Sequence, residues 1–332
     1  MGVKLKDLVP GKEVTLKDLS GKLIAVDAFN WIYQFLTTIR LSNGSYLTDS
    51  EGNITSHLNG LFYRSMNLLA ENITPWFVFD GTAPKFKKPT NIERHKAKEE
   101  AKVRAKNAVT EEERVMYLRR TTEINDYIIS SAKELLVAMG IPILQAPAEG
   151  EAQAARLNSD GLVYGVASQD YDTLLFGANR FIRNLNVTNK RKIIRKGITS
   201  IVLPEIIESK AYEATLGINR EQLVLIAMLI GTDYNTGVMG IGPKKALSIV
   251  KKESKAEILK KYAFGSEHAT EEIFDYFMNP NVIEIRDKPA LRGINRDTLI
   301  DFLCNRHSFE AARINAYLDK MNKTEGSLFD YG

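Results

Sequence analysis

Three short apolar runs in this chain each close on an acid, and that recurrence limits the fold more than any other feature. Lys22-Leu-Ile-Ala-Val-Asp27, Thr74-Pro-Trp-Phe-Val-Phe-Asp80 and Leu162-Val-Tyr-Gly-Val-Ala167, the last followed by Ser168-Gln-Asp170-Tyr-Asp172, have the length of buried strands. Helical spacing follows the first at Trp31, Phe35 and Leu36. Before the second, Leu58, Leu61, Phe62, Met66 and Leu69 fall on one helical face. Strands joined by helical crossovers form a parallel sheet, whose strand ends share one edge where ligands bind. One Asp-x-Asp reads either as a capped turn or as a cation site. Its repetition along the chain favours the cation.

The other acids fit the same frame. Ser130 to Met139 reads as a helix ended by Gly140, and Ile141-Pro-Ile-Leu144 as a further core strand, third in chain order. Ala148-Glu149-Gly-Glu151 then opens a helix, where acids also complement the helix dipole. Phe181 to Leu185 and Lys192 to Lys196 read as an antiparallel pair on the sheet edge. Glu221 to Ile230 is a nearly all-apolar, buried helix that runs into Gly231-Thr-Asp233. Asp27, Asp80, Glu149, Glu151, Asp170, Asp172 and Asp233 would repel one another unless positive charge lay among them. Hard divalent cations supply that charge, and an excess of acids suggests two, roughly 3.5–4 Å apart, clamping a phosphodiester. His57, His95, His268 and His307 are scattered, with no such role.

Two stretches are basic. Lys85, Lys87, Lys88, Arg94, Lys96, Lys98, Lys102, Arg104 and Lys106 crowd together with few apolar residues. Thr110, with Glu113 three residues on, then marks a helix start. Residues 85 to about 125 read as a basic helical excursion; a solvated surface helix would show the same charges. Farther on, Gly240-Ile-Gly242-Pro-Lys244-Lys245 suits a turn whose backbone amides approach a phosphate. That is sequence-independent gripping, not reading of bases.

Composition excludes little but is consistent. The net charge of +4, from 45 basic and 41 acidic residues, matters through its patches. Cys304 is the single cysteine, so no internal disulfide or cysteine-rich zinc site forms. The absence of a membrane-spanning run or signal peptide fits a soluble chain in a reducing compartment, with no membrane partner.

Taken in order, Val26-Asp-Ala-Phe-Asn-Trp-Ile-Tyr-Gln-Phe-Leu36, Thr55 to Arg64, Val78-Phe-Asp-Gly81, Glu149 to Ala155, Ser168 to Gly177, and Gly231-Thr-Asp-Tyr with Gly240 to Ala246 resemble the flap endonucleases. These are structure-specific 5′-nucleases, and the archaeal branch is the nearer. The resemblance runs from Met1 to about residue 315. It implies an α/β fold with a central, mostly parallel PIN- or Rossmann-like sheet flanked by helices. A basic helical arch and a DNA-binding helix–two-turn–helix complete it. The nuclease domain would span 1–320, with an N-terminal region 1–106, arch 85–125, internal region 126–260 and C-terminal helices 261–320.

The implied cofactors are two magnesium ions. Asp80, Glu149, Glu151 and Asp170 match ligands of one, and Asp170, Asp172 and Asp233 those of the other; Asp27 matches a ligand acting mainly through water. Lys87 and Arg94 match a pair on the scissile phosphate, and Tyr33 an aromatic stacking on a base. Gly240, Gly242, Lys244 and Lys245 match the duplex grip, which commonly carries potassium. The implied partner is branched DNA with a 5′ flap, met by a monomer in an archaeal-type cytoplasm.

Two departures stand out. Thr82-Ala83-Pro84 replaces the usual Lys-Pro-Pro. In the tail, 321–332, expected to be loose, a sliding-clamp motif keeps Leu328 and the first aromatic, Tyr331, but has Glu325 for Gln and Gly332 for the last aromatic. Weak clamp binding is the expectation. An aspartyl-phosphate phosphatase would use Asp170-Tyr-Asp172 but leave Asp27, Asp80, Glu149 and the Gly240 turn idle. A DNA-junction binder with a dead site would not need all seven acids.

Overall fold

The structure is a computed structural model describing residues 3, 5–187, 193–195, 198–200, 202–264 and 270–328; for 86, 88–94, 193–195, 198–200 and 320–328 it describes the backbone alone. Its strands are β1 (Lys12–Glu13), β2 (Leu23–Asp27), β3 (Thr74–Phe79), β4 (Ile143–Gln145), β5 (Gly165–Ala167), β6 (Arg180–Arg183), β7 (Ile193–Arg195), β8 (Ile198–Ser200) and β9 (Glu205–Glu208). Seven of them form one sheet, in the order β1-β9-β6-β5-β2-β3-β4. The run from β6 to β4 is parallel, and β9 and β1 close the far edge antiparallel. This is the mixed, mostly parallel α/β sheet expected. β2 lies inside it, between β5 and β3, with both faces buried and Ile24, Ala25 and Val26 inaccessible to solvent.

One edge expectation fails. β6 does not pair with the Lys192–Lys196 segment; its antiparallel partner is β9, with Phe181 opposite Ile207. β7 instead pairs with β8 in a separate hairpin. β6 is buried at Phe181 and Ile182, so it needs a neighbour on each side in the sheet, and β9 fills the side away from β5.

Helices cover both faces. α1 (Ala28–Thr38) and α2 (Ser56–Ala70) follow β2; α3 (Lys88–Lys106) and α4 (Glu111–Arg120) follow β3. α5 (Asp126–Ala138) leads into β4, α6 (Gly150–Ser159) into β5, and the short α7 (Asp172–Leu175) into β6. α8 (Ser209–Leu216), α9 (Arg220–Ile230) and α10 (Pro243–Val250) come after the sheet, then α11 (Lys255–Lys261), α12 (Thr270–Met278), α13 (Arg296–Ile300) and α14 (Ala311–Leu328). α9 is buried from Leu223 to Leu229, as its apolar sequence requires. α14 runs on to Leu328, where a loose tail from 321 was expected. Ile314 and Leu318 anchor its first turns in the core, and no glycine or proline interrupts it before Gly326.

α3 and α4 are the basic excursion. Thr110 caps α4 by accepting from the Glu113 amide (3.1 Å). The pair packs through small side chains, with Ala101 and Ala105 buried, so it needs no large apolar face. It is also pinned to the loop after α1. Arg114 Nη2 donates to the Asn43 carbonyl (3.0 Å), and Arg40 Nη2 to Thr122 Oγ1 (2.7 Å). Among the described residues, no helix is long and apolar enough to cross a membrane.

Candidate active site

Register explains why distant acids meet. Asp27 is the last residue of β2 and aligns with Val78 on β3, while Val26 aligns with Ala167 on β5. Asp80 and the turn holding Asp170 therefore leave the sheet on the same edge. Gln145 ends β4 beside Phe79, and the chain turns there into α6, whose cap is Glu149 and whose first turn carries Glu151. Asp172 opens α7, and Asp233 follows α9.

Contacts fix these carboxyls in place. Asp27 caps α1, accepting from the Asn30 amide (3.0 Å). Asp80 Oδ1 accepts from the Gly150 amide (2.8 Å), and a Cβ at position 150 would stand 2.6 Å from that oxygen. Glycine there is what lets Asp80 come so near the head of α6. The Asp172 carboxylate accepts from the Val3 amide (3.3 Å), and Asp170 Oδ1 from the Asp172 amide (3.4 Å). Ser168 Oγ stands 2.8 Å from Glu151 Oε1 and 3.0 Å from Asp27 Oδ2, and accepts from the Asp170 amide (3.2 Å).

Carboxyl oxygens of Glu151, Asp170 and Asp172 lie within 4.8 Å of one another. This trio takes members from both of the expected ligand sets, with Asp170 shared. The other four acids are in electrostatic reach: Asp80 feels Asp27 and Glu149, and Asp172 feels Asp170, Asp233 and Glu149. Burial raises the Glu151 and Asp172 carboxyls well above the ordinary range, and neighbouring carboxylates raise them further. Burial also raises Asp27 and Asp170, and pushes Asp80 up to about 7. The donor set is carboxylate, buried or half-buried and close-set, which fits a hard divalent cation.

Lys87 enters this site. Its Nζ donates to both Glu149 oxygens, at 2.8 and 3.0 Å. Burial alone would lower the ammonium, but the Glu149, Asp80 and Asp233 carboxylates together outweigh it and hold Lys87 above its usual range. Arg94 lies in α3, with its side chain outside the described residues. Tyr33, 42% exposed, opens onto a cavity of about 890 Å³ between α1 and the arch helices, where Lys98, Arg104, Tyr117 and Arg120 also stand. Sequence reasoning missed Tyr117 and Arg120 as lining residues, and it missed Ser168. Of these, Ser168 had a usable signal, its place between an apolar strand and Asp170.

Gly240 and Gly242 are exposed in the turn before α10, with Lys244 and Lys245 exposed on its first turn. Lys245 Nζ reaches the Gly240 carbonyl (3.4 Å). Leu328 ends α14 with its side chain undescribed, and Tyr331 lies outside the described residues.

The raised carboxyls make stability depend on pH. A group whose folded pKa exceeds its unfolded value contributes stability that is complete below the unfolded pKa and lost as pH rises through the folded one. In chelator, the melting temperature is expected to fall from about pH 4 to just above pH 7, the span between the ordinary value of Asp80, 3.8, and its raised value of about 7, and a divalent cation should remove most of that fall. Calorimetric melts that are flat across this window, or unmoved by the cation, would contradict the charge arrangement.

Comparison with known proteins agrees with the geometry. The XPG N-terminal domain matches residues 1–101 and the XPG I-region residues 140–233. Flap endonuclease 1 of Thermococcus onnurineus is 46% identical over 327 residues, covering 97% of this chain and 95% of that protein. The flap endonuclease-1 structure from Methanococcus jannaschii superimposes with a TM-score of 0.76 at 37% identity, covering 98% of this chain and 99% of that one. The catalytic core of Rad2 in complex with DNA substrate shares the fold, with a TM-score of 0.72 at 24% identity over 97% of this chain. With a buried acidic edge under a basic helical pair, and identity of this extent along nearly the whole chain, the chain belongs to the flap endonuclease family of structure-specific nucleases.

Proposed function

We propose that this chain cuts DNA at the base of 5′ flaps, as endonuclease and 5′-exonuclease in replication and repair, within one nuclease domain spanning 1–320. The observation that carries the reading is the close meeting of the Glu151, Asp170 and Asp172 carboxyls at one sheet edge, with Asp27 and Glu151 joined through Ser168 and Lys87 on the neighbouring Glu149. Asp80, Glu149, Glu151, Asp170, Asp172 and Asp233 would hold two magnesium ions, with Asp27 acting through water. Such a pair strengthens a water nucleophile and stabilises the leaving oxygen.

The chain's own residues do the rest. The sheet edge presents fixed carboxylates, so little reorganisation is needed when charge develops. Lys87 sits 2.8 Å from Glu149 and is placed to move onto a scissile phosphate, with Arg94 one to two turns along α3 as its partner donor. Tyr33 offers an exposed ring at the mouth of the cavity, suited to stacking on an unpaired base. The strand with the free end would pass through that cavity, between α1 and the arch.

The Gly240–Lys245 turn holds the duplex at a distance from the cut, through backbone amides, the α10 N-terminus and two lysines. Lys245 supplies positive charge at the Gly240 carbonyl, and a potassium ion held at this turn would add to it. Clamp contact at Leu328 and Tyr331 would be weak, given Glu325 and Gly332.

Phosphate contacts at the turn set the salt dependence of binding. Lys244→Ala and Lys245→Ala should each lower the slope of log affinity against log salt by about 0.9, with the single-turnover cutting rate at saturation unchanged. Fluorescence anisotropy across a salt series reads this out; an unchanged slope in both variants would move the duplex elsewhere. The reaction itself is tested with a labelled double-flap DNA and magnesium, where cutting should fall near the flap base. Hydrolysis of small phosphate monoesters without DNA cutting would refute it.

A further inference from the structure

Ser168 is buried, 2% exposed, directly after β5. Its hydroxyl oxygen is the common point of three candidate ligands that reach the site from different elements. It stands 3.0 Å from Asp27 Oδ2 at the end of β2, and 2.8 Å from Glu151 Oε1 in the first turn of α6. It also accepts from the amide of Asp170 at 3.2 Å. Its own amide donates to the Ile182 carbonyl on β6 (3.3 Å), so the backbone beneath the hydroxyl is tied into the sheet.

We infer that Ser168 is a positioning residue, whose hydroxyl sets the spacing of Asp27, Glu151 and Asp170 and thereby the affinity of the site for divalent cations. The inference rests on the cation-site reading given above. One hydroxyl carries one hydrogen, so it serves Glu151 or Asp27 but not both at once. A carboxylate that binds a cation directly gives up part of its need for a donor, and the hydroxyl then turns to the other. Ser168 thus holds Glu151 for direct binding while keeping Asp27 set back, where a water can fill the gap. Without the hydroxyl, Glu151 and Asp27 lose their shared partner, the Asp170 amide loses its acceptor, and the three carboxyls relax apart. Partners of this kind around metal ligands typically change metal affinity by about 10–100-fold.

The test is cation binding without DNA, by titration calorimetry with manganese on the full chain, next to melting of the chelated protein. Ser168→Ala should weaken manganese binding about tenfold. The chelated protein should melt within about 2 °C of the native chain, because one buried hydroxyl next to mutually repelling carboxyls adds little to the fold. Ser168→Thr, which keeps the hydroxyl, should bind close to the native value. Native affinity in Ser168→Ala overturns the inference, as does a loss in Ser168→Thr equal to that in Ser168→Ala. Asp170→Ala serves as the control. If it loses manganese while Ser168→Ala does not, the positioning role alone falls; if it binds like the native chain, the cation-site reading falls with it.

Discussion

Asp170→Ala stops cutting of a 5′-flapped duplex and leaves the duplex bound. The expectation follows from where Asp170 stands. It is the member shared by the two expected ligand sets and belongs to the close trio with Glu151 and Asp172. Removing it leaves a site whose other carboxyls still repel, with one fewer oxygen to bring cations near a phosphate. A loss of at least about 10³-fold in single-turnover rate, on the order of 4 kcal/mol of transition-state stabilisation, is the expected size. Binding should hold or tighten slightly, since the variant has one less negative charge facing a polyanion and the α10 turn is untouched. Gel-resolved single-turnover assays with anisotropy on the same DNA separate the two quantities. A variant that cuts within tenfold of the native rate would remove Asp170 from the chemistry.

Lys87→Ala has the second-largest effect, and it acts in two ways. With cations and substrate present, the chain loses a half-buried ammonium that the proposed reaction puts beside the phosphate, an expected loss of about 10²–10³-fold in single-turnover rate at unchanged DNA affinity. Without cations, the variant leaves Glu149 buried without its partner among like charges, so the chelated protein should melt lower than the native chain and recover when a divalent cation is added. The pair of results is specific. A lysine that only neutralised Glu149 would change the melt and spare the rate; one that only met phosphate would do the reverse. Native values in both assays would show that the Lys87–Glu149 contact has no part in the site.

The parts of the site that could be read in the sequence share a physical cause. β2 and β3 are buried on both faces, so their sequences are unbroken apolar runs, and an acid ending such a run is conspicuous. α9 and the capped start of α4 were legible for similar reasons, one from apolar content and one from the Thr110–Glu113 spacing. β1, with two residues, and β9, with four, are too short for periodicity to register, and so the partner of β6 was misassigned. Ser168 carries no charge and sits in a turn where serine is common, so its place between an apolar strand and Asp170 was the one signal it offered. The Lys87–Glu149 contact joins residues 62 apart and depends on the chain leaving β3 through a short 3₁₀ turn, which no local pattern encodes.

The amide of Gly150 on Asp80 has a bearing on redesign. That contact is made by main chain, against a residue whose smallest possible enlargement would collide with a carboxyl oxygen. It therefore works as a hard stop: no graded series of side chains at 150 can widen the floor of the pocket to suit a larger ion. An engineer seeking to trade one cation for another has to leave that floor alone and work on the walls, where side chains come in adjustable lengths.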